Sequence, residues 1–506
     1  MSPVKKFATD NKALLAIIAL SVFLKGFLLL HSPVVNPDAA VYISAALKHS
    51  EGLFTEGIKY YRMPFYPFLL AAMHFVTRDW ILAGQMLSAL PLVLSLVPLY
   101  ILTLRLFDKK SALAASLLFA VLPVFNEASV AIIRDPLFLL FTLSSLACLA
   151  QNQYKYSTST LISAISFSVL ATLVRIEGVL LLVIVPTLFF WQNRHKFSLK
   201  QIMTALVITL ASLSSLWIVL WAFSLLGISS QSRLPEVTIW LKDIATFDLF
   251  NNYHSIMTRL EEFQHQLPYS HLRNNILETT RHYAPLIYFI GLLEILVKEI
   301  WPFSVIALWA LRYRTQPLFR SPQIIIFWPM IAFLLLALLF CLSKNFITTR
   351  YVWIPIVLLI PLAGHGTTLL WQRIAYSKVA IIGLIVLFFV APIGKTLAEV
   401  GSDRPSIRQA AKWLNREDPK KQLNILFNDR RIPLYADRIY AQQHDNAFSM
   451  INKNKDWRPR VDLFVLNVGE EDLKNLPLPG FRELKRFKDN RTTILILERE
   501  KKQNAI

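Results

Sequence analysis

The chain has 506 residues, of which 55% are hydrophobic and 17% charged, and its mean hydropathy is +0.46. A soluble domain carries roughly 25% charged residues, so this composition excludes an ordinary soluble enzyme and points to a polytopic membrane protein with some soluble material attached. The net charge of +20 is accounted for by basic loops on one side of a membrane and by attraction to anionic lipid or phosphate, and no nucleic acid is expected as a partner.

Lys5, Lys6 and Lys12 precede an apolar run from Ala13 to Leu30. The run is longer than the roughly 7–15 residues of a signal-peptide core, and no small-residue cleavage site follows it promptly. We expect an uncleaved first transmembrane helix, with Lys25 either snorkelling outward or serving a cavity. VVNPDAAVYISAA (34–46) comes next. Asn36 as N-cap and Pro37 at the first helical position predict a helix start. Asp38 then falls in the first turn, where the helix dipole favours a carboxylate, and Tyr42 one turn on. On spacing alone, Asp38 is either a helix-start residue or a working acid or base. The stretch 64–77 is apolar but too short to span and reads as an interfacial or re-entrant helix.

About eleven spans of roughly 20 residues are expected: 13–31, 81–104, 112–130, 132–150, 158–174, 176–192, 202–226, 285–310, 323–343, 350–371 and 377–395. With a cytoplasmic N-terminus, the inside segments are the N-terminal tail and the loops 105–110, 151–157, 192–201, 311–320 and 372–378. All are short and basic, with Asp10 and Asp108 as their acidic residues. The opposite loops hold Asp38, Glu51, Glu56, Glu127, Asp135, Glu177 and a long segment around 227–284, the pattern of the positive-inside rule. An odd number of crossings puts everything after about residue 396 outside. Cys148 and Cys341 lie in apolar runs and read as small core residues. His254, His265, His271 and His282 match no zinc spacing.

Residues 401–506 change character. SIRQAAKWLNRE predicts an amphipathic helix, and LNILFND, VDLFVLNV and TTILILER predict strands. The segment carries 22 Lys/Arg against 15 Asp/Glu, a balance suited to a polyanionic glycan or to plain solubility. It lacks a glycine-rich phosphate loop, so no nucleotide site is expected. The expected organisation is thus an α-helical membrane domain over 1–400, with outer loops 32–80 and 227–284, and a small extracytoplasmic α/β domain over 401–506.

Polar residues collect at the outer ends of the spans: Asp38 and Tyr42; Tyr61 and Arg62; Asn126, Glu127, Arg134 and Asp135; Arg175 and Glu177; Lys344, Arg350 and Tyr351. Each has a plain reading. Arg134 and Asp135 suit a local ion pair, and Arg62 or Arg350 alone suits snorkelling to headgroups. Taken together, carboxylates and arginines from several loops on one side build a site for an anionic, lipid-borne substrate.

PDAAVYISAA, followed by YRMPFYPFLLAA, resembles the dolichyl-phosphate-mannose protein mannosyltransferase family, whose bacterial relatives include the lipid A aminoarabinose transferases. IIRDPLFLLFTLSSLACLA, LVRIEGVLLL and TTRYVWIPIVLLIPLAG fit the same pattern, over roughly residues 10–395 and more weakly beyond. The resemblance implies a C-type (GT-C-like) glycosyltransferase fold. It implies a reaction at the outer face of the cytoplasmic membrane, in which a sugar passes from a polyprenyl-phosphate donor to a glycan, glycolipid or protein acceptor. It puts the catalytic carboxylates on Asp38, as the base, and on Asp135, which with Arg134 forms the charged pair opening the fourth span. Arg350 and Tyr351 become candidates for holding the lipid phosphate, and Arg62, Arg175 and Glu177 match further elements of the pattern; Tyr42 and Lys344 complete the binding set. Where the mannosyltransferases often carry two adjacent acidic residues, Asp38 is followed by Ala39. No cofactor is required, and a divalent metal shared by Asp38 and Asp135 stays open. The alternatives are a lipid-linked sugar transporter or flippase without chemistry, and a non-catalytic membrane scaffold.

Overall fold

The computed structural model describes residues 11–31, 34–151, 157–193, 251–266, 271–313, 322–344, 346–374, 377–400, 405–438, 461–469, 481–489 and 492–499, with isolated positions 207, 214 and 246. The expected span 202–226 and most of the 227–250 segment lie outside the described residues. The chain divides into two compact units. The first comprises Met1–Lys25, Ser88–Ala128 and Arg134–Lys395; the second comprises Gly26–Leu87, Ser129–Ile133 and Thr396–Ile506.

The N-terminal run forms α1 (Lys12–Leu30), whose 19 residues reach roughly 28 Å at 1.5 Å per residue, about the thickness of a bilayer core. Then come α2 (Asp38–Ser50), α3 (Phe54–Tyr60) and the short apolar α4 (Phe65–Thr77), with α2 packed on both of the others. His49, on the last turn of α2, stacks on Phe68 with ring centroids 4.4 Å apart and lies against Gly57. A side chain at Gly57 would collide with the imidazole, its Cβ falling 2.5 Å from His49 Cε1. α5 (Trp80–Leu94) and α6 (Leu96–Leu106) run on as one apolar stretch of 27 residues.

α7 (Lys109–Val121) is capped by Asp108, which accepts from the Ser111 amide at 2.9 Å. The single span expected over 112–130 is instead broken. Leu122 is extended, and α8 (Pro123–Val130) leaves α7 at 49°. Pro123 is the cause, since it has no N–H to continue the ladder and pushes its predecessor out of the helical region. α9 (Asp135–Gln151) and α10 (Thr158–Val174) lie side by side, with Ser145 Oγ and Ser168 Oγ 2.9 Å apart between them. A 3₁₀ turn (Ile176–Gly178) leads to α11 (Val179–Asn193).

After α12 (Asn251–Gln266), α13 (His271–Glu299) stops short and α14 (Phe303–Ala310) starts after Pro302, so the span expected over 285–310 is also two helices. α15 (Ile324–Lys344), a 3₁₀ turn (Thr349–Val352) and α16 (Trp353–Ile374) follow, then α17 (Lys378–Ile385), a π-helical segment (Val386–Val390) and α18 (Ala391–Val400). Most of the first half of α16 is buried, and it packs on α7 and α14. Gly364 permits the close crossing with α7, because a Cβ there would sit 2.6 Å from the Ala115 backbone nitrogen. Among the described residues four helices are long and apolar enough to cross a membrane, or up to five if the bent α7–α8 pair is one span, and six shorter apolar helices accompany them.

The C-terminal segment begins with α19 (Pro405–Glu417), the expected amphipathic helix. It continues through β1 (Ile425–Phe427), α20 (Arg431–Tyr435), β2 (Leu463–Val468), β3 (Phe481–Lys488) and β4 (Thr493–Arg499), with sheet order β1-β2-β4-β3. β1 and β2 are parallel and the other pairs antiparallel, in register at Phe464 with Leu497 and at Phe487 with Ile494. Ile407, Ala410, Ala411 and Leu414 of α19 cover one face of the sheet, and Val34 from the other end of the chain completes that core. The Val35 amide donates to Tyr435 Oη at 3.0 Å, and α20 packs on α2. β3 was not expected from the sequence, because its charged residues hide the strand pattern. It is an edge strand with Arg482 to Arg486 exposed, as edges that resist aggregation are.

Candidate active site

In the first unit the site residues gather around Arg175, the residue after α10. Its backbone is extended (φ −141°), so the chain turns out of the helix and re-enters through Ile176–Gly178. The turn is tight enough that a Cβ at Gly178 would come within 2.5 Å of the Thr172 backbone nitrogen, which explains the glycine of the Arg-x-Glu-Gly element. Arg175 Nη1 donates to Asp135 Oδ1, while Nη2 and Nε donate to Glu177 Oε1 and Oε2 at 2.6 and 3.2 Å. Arg175 and Asp135 are both buried. The guanidinium carbon lies 5.5 Å from the Tyr351 ring centre and 5.6 Å from that of Phe138. Burial alone would push the Arg175 guanidinium down, but Glu177 and Asp135 outweigh it and its pKa is raised. The charge is therefore permanent and its direction is fixed on three sides.

Arg134 Nη1 reaches the Val174 carbonyl at 3.4 Å. Arg134, Arg175, Arg350 and Glu177 are all within electrostatic reach of Tyr351, whose ring also packs on Phe340 at 4.3 Å. Arg350 and Tyr351 sit on the turn before α16, where Thr349 donates to Glu299 at 3.3 Å. Lys344 is exposed at the end of α15. With Arg134, Arg175 and Arg350 set against Asp135 and Glu177, the cluster is formally cationic.

The second unit holds Asp38, Tyr42 and Arg62. Asp38 is the first residue of α2, in its first turn and half-buried. The expected Asn36 cap is corrected. No side chain caps α2, and Asn36 instead clasps the backbone of Ile132, donating to its carbonyl at 3.2 Å and accepting from its amide at 2.8 Å. A carboxamide donates and accepts at once, so one side chain satisfies both backbone groups of Ile132. Tyr42, one turn after Asp38, is buried edge-on between Tyr61 and Tyr66, with centroids 4.8 and 4.9 Å away. Arg62 is exposed in the link between α3 and α4. The structure thus brings together the Arg134–Asp135–Arg175–Glu177–Arg350–Tyr351 set in one unit and sets Asp38, Tyr42 and Arg62 in the other.

Lys25 does not snorkel. It is 1% exposed, and Nζ donates to Asn126 Oδ1 at 2.9 Å and to Ser21 Oγ at 3.1 Å. Lys25 lies five residues, roughly 8 Å along the axis, before the helix end, and Asn126 and Ser21 hold its nitrogen inside. Phe138 was missed as a wall of the Arg175 site; an aromatic among leucines carries no sequence signal of its own. Among the described residues no group of three or more His, Cys, Asp or Glu is placed to hold a metal ion, and the Asp135 carboxylate already serves Arg175.

Residues 62–221 match the profile of the dolichyl-phosphate-mannose-protein mannosyltransferase family. No curated protein matches the chain by sequence. Among solved structures, ArnT from Cupriavidus metallidurans bound to undecaprenyl phosphate superposes with a TM-score of 0.57 at 13% identity, covering 95% of this chain and 97% of that one. The chain has the fold of the C-type membrane glycosyltransferases. The archaeal oligosaccharyltransferase AglB from Archaeoglobus fulgidus, in complex with an inhibitory peptide and a dolichol-phosphate, shares this GT-C fold with a TM-score of 0.51 at 13% identity, over 98% of this chain and 74% of that one. An Archaeoglobus fulgidus oligosaccharyltransferase tethered with an acceptor peptide gives 0.52 at 12% identity, over 91% of this chain and 69% of that one. The resemblance read from the sequence stands, and this GT-C chain is a multi-pass membrane protein.

Proposed function

We propose that the protein transfers a sugar from a polyprenyl-phosphate donor to an acceptor hydroxyl at the outer face of the cytoplasmic membrane, with the N-terminus inside and the C-terminal domain outside. The observation that carries this reading is the buried, permanently charged Arg175, oriented by two carboxylates in a cluster whose formal charge is positive. Such a cluster suits an anionic headgroup that must be bound and then released as a leaving group.

In the reaction, Asp38 takes the proton from the acceptor hydroxyl, and the oxygen attacks the anomeric carbon. The bond from that carbon to the phosphate oxygen breaks with its electron pair going to the lipid phosphate. A single displacement inverts the anomeric centre. Arg350 and Arg134 meet the phosphate through charge-assisted hydrogen bonds, and Lys344 and Tyr351 line the same site. Asp135 and Glu177 hold Arg175 in place, so the base role rests on Asp38 alone. Arg62 and Tyr42 belong to the acceptor side with Asp38.

Asp38→Asn in the purified protein tests the reading. Transfer from a synthetic polyprenyl-phosphate sugar should fall by at least 100-fold, the lower range of general-base contributions, with yield and melting temperature unchanged. Near-normal turnover would remove Asp38 as the base, and no turnover by the wild type with any lipid-phosphate sugar would refute the reaction itself.

A further inference from the structure

Lys25 has no part in the chemistry above, yet it is among the largest fully buried side chains in the protein. An ionisable group inside an apolar helix is costly and persists where it serves a purpose. Its ammonium is bonded to two neutral oxygens, Ser21 Oγ on its own helix and Asn126 Oδ1 on α8. The second bond spans 101 residues of sequence and ends on the half-helix that follows the 49° break at Leu122. A broken helix has lost the backbone continuity that would otherwise hold its second half in line, so α8 needs an external tie.

α8 in turn leads to the cationic site by two routes. Phe125, the neighbour of Asn126, packs against Phe119 across the break at 4.4 Å and edge-on against Trp353 at 5.9 Å. Trp353 opens α16 directly behind the turn that carries Arg350 and Tyr351. The second route is the chain itself, since α8 ends at Val130 and runs within five residues into Arg134 and Asp135.

We infer that Lys25 is a positioning residue, which by holding Asn126 fixes α8 and so sets the Arg350–Tyr351 turn and the Arg134–Asp135 start for binding the donor phosphate. The bond matters because its alternative is an amine left without an acceptor in a dry interior, and the long, flexible lysine stem reaches across to α8. This inference rests on the proposed donor.

Lys25→Met keeps the length and the apolar stem and removes the donor. In full-length protein in detergent, deuterium uptake should rise in peptides covering 122–134 and 349–353 and stay unchanged over 405–417. The KM for the polyprenyl-phosphate sugar should rise about tenfold, with kcat within twofold of wild type. Asn126→Leu should reproduce both effects, and the exchanged pair Lys25→Asn with Asn126→Lys should reverse them, which a merely destabilising change would not allow. Unchanged uptake in the two segments, uptake raised everywhere, or an unchanged donor KM in a variant whose 122–134 uptake has risen would each overturn the inference. Failure of the wild type to transfer any sugar would refute the reaction and the donor half of the inference, while the exchange data would still decide whether Lys25 braces α8.

Discussion

Arg175 and Arg350 are both arginines of one cluster, but their surroundings predict opposite phenotypes. Arg175 is buried with its guanidinium on Asp135 and Glu177. Removing it leaves carboxylates in a dry setting, and breaking such a pair costs about 3–5 kcal/mol. Arg175→Met should therefore show as a large loss of stability in thermal or denaturant unfolding, and adding Asp135→Asn should restore part of it. Arg350 lies on a half-buried turn, so Arg350→Ala should leave unfolding nearly unchanged and raise the donor KM; an unchanged KM would argue against a phosphate contact. Composition could not have drawn this distinction. The sequence shows both residues as arginines near span ends, whereas Asp135 and Arg175 are 40 positions apart and meet only because α9 and α10 lie side by side.

At the scale of elements, hydropathy was a good guide and punctuation a poorer one. α1, α10 and α15 start and stop within a residue or two of the expected spans, because an apolar run long enough to cross a bilayer has few other ways to fold. Hydropathy does not mark the breaks at Pro123 and Pro302, since proline inside an apolar run is tolerated in membrane helices. β3 was missed for the converse reason, as an exposed edge strand has no buried face to alternate. Elements also carry the pH response. Burial pushes the His49 imidazole down from its ordinary 6.5 to about 4. Between those values the unfolded chain binds a proton that the folded one does not. The stability held by the α2–α3–α4 packing is therefore fully present above pH 6.5 and is lost progressively as the pH falls towards 4. His49→Phe fills the same slot without a titrating group and should flatten the melting-temperature profile over that window relative to wild type. An identical slope in the two proteins would place the effect elsewhere.

For the whole molecule, the sidedness of the charges makes the sharpest forecast. The loops carrying Asp38 and Arg350 and the C-terminal domain should all react with an impermeant thiol reagent from outside when single cysteines are placed in them, and 105–110 should not. Labelling of the Asp38 loop from the cytoplasmic side alone would invert the topology and move the proposed reaction to the wrong face. The class of fold is legible in the sequence, because it follows from local composition and short motifs. The pairings that organise them, Asn36 with Ile132, Lys25 with Asn126 and Val34 with the C-terminal sheet, join distant stretches of chain, and no local pattern records them.

The last of these pairings has a consequence for how the protein is made. The Val35 amide finds its acceptor on Tyr435, 400 residues downstream, and Val34 enters a core built almost wholly from the final hundred residues. At about 5–20 residues per second of synthesis, the segment leading into Asp38 waits roughly 20–80 s after leaving the ribosome for the surface that will hold it. The helix that bears the proposed base thus reaches its finished setting only once the chain has been made through β4. A chain cut short before residue 405 would keep its membrane helices and lose the support beneath its first loop.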